Sequence, residues 1–177
     1  MATAHGGEQD RPAVNWALLA VRLVVGTIFM AHGAQKVFGL WGGRGMGAFA
    51  DNLGRLGFGN HTALAWATAV AELVGGAAVL LGLFTPLAAA ALMAIAIDAV
   101  LLKAGNGFFI SGPPGAQSVE LNVVLGLAAA AIVLIGPGRF ALDNGRTWQR
   151  RPAPWGLLCL AIGVAVALLV FFPLRAR

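Results

Sequence analysis

Charge is scarce in this chain. Only 11% of its 177 residues are Asp, Glu, Lys or Arg, less than half of the roughly 25% found in soluble domains, which excludes an ordinary water-soluble monomer. Cysteine is nearly absent too. The single Cys159 rules out an intrachain disulfide, a CxxC redox pair and a Cys-rich metal cluster built by one chain. The twelve basic residues outnumber seven acidic ones, yet they are scattered at the ends of apolar runs, a membrane-flank pattern and no nucleic-acid footprint. Gly43-x-Gly45-x-Gly47 has neither a preceding strand nor a following Gly-Lys-Ser/Thr, so a phosphate loop is not indicated. A bis-histidine haem would need a second buried histidine beside His32, and His5 and His61 both fall outside the apolar runs.

What is abundant is apolar length. Hydrophobic residues make up 59% of the chain and the mean hydropathy is +0.81, which predicts an all-α integral membrane bundle. Five spans are expected. They run Val14 to Phe38, Ala63 to Phe84 with Thr62 as N-cap, Leu87 to Leu102 entered through Thr85-Pro86, Val119 to Ile135 ended by Gly136-Pro137-Gly138, and Trp155 to Phe172 ended by Pro173. Residues 1–13 form a polar tail too poor in apolar groups to order itself. Trp41, Trp148 and Trp155 read as interfacial anchors.

Five spans place the two termini on opposite sides of the membrane. Arg11, Arg139, Arg146, Arg150 and Arg151 fall on the N-terminal side, and Lys36, Arg44, Arg55, Lys103, Arg175 and Arg177 on the other. The dense group Arg146 to Arg151 favours a cytoplasmic N-terminus. The long connections, Gly39 to His61 and Lys103 to Ser118, lie on the opposite side. In the first, Met46, Phe49, Leu53 and Leu56 recur at helical spacing, which predicts an amphipathic helix lying as a lid on the bundle mouth.

Ionisable residues inside the spans carry the functional expectation, because each costs about 2.5 to 3.5 kcal/mol at the bilayer centre. Glu72 and Asp98 fall near mid-span and are the candidate catalytic groups. Arg22 enters from the opposite side, and an Arg22 to Glu72 ion pair is geometrically allowed. His32 and Lys36 share one face of the first span, while Lys103 and Glu120 flank the second long connection. Arg22, His32, Lys36, Glu72, Asp98, Lys103 and Glu120 therefore make the candidate ligand-binding set, without a metal site. Two readings stand: a polar pocket near the midplane for an anionic or quinone-like head group, or ion pairs that only cross-link the bundle. Gly26, Gly33, Gly75, Gly76 and Gly82 read as helix-packing positions.

Several runs together resemble a known family: Arg22-Leu-Val-Val-Gly26, Ala31-His-Gly-Ala-Gln-Lys36, Ala71-Glu72-Leu-Val-Gly75-Gly76, and Leu-Leu-Gly82-Leu-Phe-Thr-Pro-Leu-Ala88. Asn106-Gly-Phe-Phe109, Glu120 and Gly136-Pro-Gly-Arg-Phe-Ala-Leu-Asp143 continue the match in order. They resemble the DoxX family of small bacterial membrane proteins. The resemblance implies a four-helix membrane domain over residues 14–143; the Arg-rich link at 144–154, a fifth transmembrane helix at 155–172 and a basic tail at 173–177 lie beyond it and depart from the usual four-helix pattern. It also implies a multi-pass protein of the bacterial plasma membrane with a quinone-interacting or accessory role in a redox complex linked to thiol and oxidative stress. Arg22, Lys36, Glu72 and Glu120 are the positions it carries over. No intrinsic cofactor is expected, since nothing in the chain is a redox centre; a bound quinone or partner redox subunits would supply one. The alternative is a non-catalytic assembly protein that binds partner subunits, and whether the chain is an enzyme stays open. The bilayer is the partner expected on either reading.

Overall fold

A computed structural model describes residues 12–109 and 118–174. Among them the chain is helical, without strands: α1 (Pro12–Phe38), α2 (Gly45–Arg55), α3 (His61–Leu81), α4 (Thr85–Lys103), α5 (Glu120–Ile135), α6 (Thr147–Arg150) and α7 (Pro152–Phe171). Four of these, α1, α3, α4 extended to Asn106, and α7, are long and apolar enough to cross a membrane. The outward faces stay apolar, with Trp16, Val24, Val74 and Leu127 all at least 58% exposed, as lipid-facing positions require. The protein is an integral membrane helical bundle. The expected four-helix core is formed by α1, α3, α4 and α5, and the expected fifth C-terminal helix, α7, packs on α4 and α5.

Helix α5 has only 16 residues, about 24 Å at 1.5 Å per residue, against a hydrocarbon core of about 30 Å. The rest of that crossing is made by Gly136, Pro137 and Gly138, which are buried in a non-helical conformation. Irregular backbone at such depth persists only where protein groups satisfy it. Two of these carbonyls have donors, Pro137 O from Arg22 Nη1 at 2.9 Å and Gly138 O from Gln149 Nε2 at 3.2 Å.

Several ends shift from the sequence reading, for local reasons. The third helix stops at Leu81 because Gly82 turns left-handed at φ 71° and Phe84 follows at φ 45°. The α3–α4 connection is therefore three residues long, and α4 starts at Thr85 with Pro86 in its first turn. Thr62 is not the cap of α3. The helix opens at His61, two residues before the expected Ala63, with Asn60 preceding it and Leu64 N–H bonding Asn60 O at 3.0 Å. Helix α7 likewise begins at Pro152, three residues before the expected Trp155.

Glycines fix how α1 and α3 meet. A Cβ on Gly33 would lie 2.6 Å from Leu73 N, and one on Gly76 would lie 2.6 Å from Met30 N. With the side chains absent, the two backbones touch, as small residues permit in membranes. Gly75 sits on another face, 3.2 Å from Leu92 by the same measure. The α1–α3 contact sets the register of every charged residue on those helices. Gly33→Leu or Gly76→Leu should therefore force the pair apart at about 1–3 kcal/mol or more, read as lost monodisperse yield and a lower thermal midpoint in mild detergent. Gly47→Ala, on the outer side of α2 with nothing within 4 Å, should leave both unchanged.

Candidate functional site

The candidate residues separate into two groups at opposite ends of the bundle, plus one isolated acid. At the end where α1 begins, Arg22 is 1% exposed. Its Nε donates to Val79 O, Nη1 to Pro137 O and Phe140 O, and Nη2 to Leu80 O, each at 2.9 Å. Val79 and Leu80 belong to the last turn of α3, where carbonyls lack an i+4 helical amide; Val79 O also accepts from Gly82 N–H at 3.1 Å, and the guanidinium caps the helix where its dipole is negative. Asp143 does the reverse for α4. Its carboxylate accepts from Phe84 N–H at 3.0 Å, Thr85 N–H at 2.7 Å and Thr85 Oγ1–H at 2.8 Å.

The allowed Arg22 to Glu72 pair is therefore not formed. Val79 lies seven residues beyond Glu72 on α3, about 10 Å along the axis, and the guanidinium is committed there. Arg22 belongs to a structural lock and does not join the other candidates. Gly82 completes the lock, since a Cβ there would sit 2.5 Å from both Arg22 Nη2 and Ala141 Cβ.

At the other end Glu72, whose side chain is 6% exposed, is ion-paired with Lys36 across the α1–α3 contact. The Lys36 ammonium also lies 5.0 Å from the centroid of the Phe49 ring on α2, within cation–π range. The sequence-predicted lid helix is α2, and its apolar face does cover this mouth: Ala50 and Leu53 are buried with Phe58 and Ala65, and Met46, Phe49 and Leu56 pack beside them. Lys103, at the end of α4, donates to Asn122 Oδ1 at 3.0 Å. Its charge interacts with those of Lys36 and Glu72, and His32 lies within electrostatic range of both lysines. His32, Lys36, Glu72 and Lys103 thus form one cluster under α2. Glu120 starts α5, half-buried, two residues before Asn122, with its N–H bonded to Phe108 O at 3.1 Å.

Asp98 stands apart from both groups. Its Oδ1 is buried without a hydrogen-bond partner, and it lines a cavity of about 250 Å³ between α3, α4 and α7. Cys159 is buried in the main core with Val25, Phe29 and Leu92. Among the described residues, no three His, Cys, Asp or Glu side chains gather as a metal-binding group. Asn122 and Asp143 are the positions the sequence reading did not single out. Asn122 carries no signal beyond being polar near the start of an apolar helix, whereas Asp143 follows a Gly-Pro-Gly break and could be read as a cap for a neighbouring helix.

Comparison with known proteins bears on this arrangement. The DoxX family profile matches residues 17–104, the stretch that holds Arg22, Lys36, Glu72 and Lys103. An uncharacterized membrane protein of Mycobacterium tuberculosis, Rv3486, is 33% identical over 142 residues, which cover 72% of this chain and 80% of that protein. The chain belongs to the DoxX family. No solved structure matches it. Membership and the apolar helices together make it a multi-pass protein of a bacterial membrane. Within this DoxX chain, the matched segment contains the α1–α3 contact and the Lys36–Glu72 pair, while the Asp143 cap and α7 lie beyond it.

Two substitution sets separate the lock from the mouth. Arg22→Lys keeps the charge but cannot fork to four carbonyls, and each carbonyl left unpaired costs roughly 1–3 kcal/mol; its thermal midpoint should fall well below wild type, with Arg22→Leu lower still. At the mouth, Lys36→Met and Glu72→Leu should each cost about 3–5 kcal/mol by stranding a charge, and the double variant should recover most of that loss. A double variant no more stable than Glu72→Leu alone would show that Lys36 is not the partner of Glu72.

Proposed function

We propose that this DoxX-family protein is a quinone-interacting, accessory subunit of a membrane redox system, holding the quinone head group at the mouth under α2. The supporting observation is the donor surplus of the mouth cluster. Lys36 is ion-paired with Glu72, whereas among the described residues the Lys103 ammonium, one of whose three N–H donors is used, hydrogen-bonds only the neutral Asn122. Quinone carbonyls are acceptors, and a cationic donor beside an imidazole suits them. Lys103 and His32 would hold the head group, and Lys36 would fix the position of Glu72 beneath it. Phe49 and the rest of the apolar face of α2 exclude water from one side. A bound quinone would supply the electron-accepting chemistry that the chain's own residues lack.

The non-catalytic assembly reading is favoured by a different observation, the bonding of Arg22 to four carbonyls and of Glu72 to Lys36 within the bundle. On that reading the charges only hold helices together, and partner subunits bind elsewhere.

The two readings diverge in a ligand-protection experiment. With a short-chain quinone at about a hundred times its Kd, the purified protein should gain roughly 2.7 kcal/mol of stability. Lys103→Met and His32→Leu should shrink that gain while leaving the midpoint of the free protein near wild type. Absence of protection, together with copurification of a stoichiometric membrane partner, would decide for the assembly reading.

A further inference from the structure

The mouth cluster offers donors; Asp98 offers the opposite chemistry in a different place. Its carboxylate lies part-way along α4, among apolar walls supplied by three helices. Thr68 and Ala71 of α3, Ala94 of α4, and Ile162 and Val166 of α7 face the same cavity of about 250 Å³. Apart from Thr68 and Asp98, the lining side chains are apolar. Among the described residues Oδ1 of Asp98 has no donor, and no charged side chain acts on the group. The nearest cation along α4, Lys103, has its charge interactions with Lys36 and Glu72. A carboxylate so placed has an unmet need for a cation or a strong donor.

The cavity adjoins the lipid-facing side of the bundle. A second, shallower groove of about 640 Å³ runs along the outer side of α3 and α4 from Trp66 to Phe84. Both spaces are lined by Ala67, Ala71, Leu87 and Ala91, so they adjoin along the α3–α4 seam, where alanines leave the space between the helices unfilled. The outer groove faces the hydrocarbon, with Val74 60% exposed and Trp66 47% exposed. An occupant arriving through it would come from the membrane and carry an apolar body.

We propose that the α3/α4/α7 cleft is a binding site for a lipophilic ammonium compound, its alkyl part in the outer groove and its charged nitrogen donating to Asp98. The occupant is selected by charge complementarity. A neutral acceptor such as a quinone carbonyl meets no donor in this cleft except Thr68, whereas an ammonium N–H forms a charge-assisted bond to Oδ1. The site is independent of the mouth cluster and of the function proposed for it.

The test uses the full chain in phosphatidylcholine nanodiscs, with decylammonium as probe and decanol as its neutral counterpart. Decylammonium should bind at least about tenfold more tightly than decanol, measured from concentration-dependent thermal stabilisation. Asp98→Asn should abolish the difference. Ala71→Leu, which leaves the carboxylate in place and fills the cleft, should weaken decylammonium binding as well, and it keeps the test decisive if Asp98→Asn folds poorly. Equal stabilisation by the two probes, no stabilisation by either, or undiminished decylammonium binding by both variants would overturn the proposal. Quinone protection at the mouth should be unaffected by Ala71→Leu, so the two sites succeed or fail separately.

Discussion

The guanidinium of Arg22 joins three pieces of backbone by donating to a carbonyl in each. It takes the last turn of α3, the non-helical extension of α5 and the loop that follows. A carbonyl left bare in a bilayer costs several kcal/mol; the three-residue α3–α4 connection bonds Val79 O and Ala78 O through Gly82 and Leu83 N–H, and Arg22 adds the donor for Leu80 O. Asp143 supplies the matching acceptor for the start of α4. Together the two residues allow α3 and α4 to turn tightly with α5 short, and so bring Gly136 to Gly138 into the protein interior. The arrangement explains how two buried charged side chains are accommodated although neither faces a ligand: both are spent mainly on backbone.

The register of α1 on α3 carries this constraint to the far end of the bundle. With the helices in backbone contact at Gly33 and Gly76, sliding one past the other is blocked, and the position of Arg22 at the last turn of α3 requires that Lys36 fall beside Glu72. The lock at one end thus sets the pairing at the other. Helix α2 then closes over the pair through Phe49, so the amphipathic segment is held by a cation–π contact as well as by its own buried leucine and alanine.

Much of this was legible in the sequence. The five apolar helices, the lid with Met46, Phe49 and Leu53 on its inner face, and the grouping of His32, Lys36 and Lys103 at one mouth all follow from hydropathy and helical spacing. The partner of Glu72 did not. Depth counted from the ends of each span makes Arg22 and Glu72 appear level, because the count carries no information on how α1 and α3 are offset. That offset is a tertiary quantity, set by glycines whose packing role was legible but whose facing partners were not. The same holds for Asp98. Its depth was clear, but the cavity beside it exists only because α7 packs across the α3–α4 seam, and no local pattern in α4 reports a neighbour more than fifty residues away.

Helix α7 has one more bearing on the family. It approaches α4 and α5 through Gly156 and Gly163, where an added Cβ would come within 2.6 Å of Val133 O and 2.7 Å of Met93 Cε, and it lies wholly outside the segment that matches the family profile. Yet Ile162, Gly163, Val166 and Val170 form one wall of the Asp98 cleft. In a relative lacking such a helix, an acid at the same point of the fourth helix would face lipid directly. The segment that matches the family profile thus supplies two walls of this recess, α3 and α4, and a helix beyond that segment supplies the third.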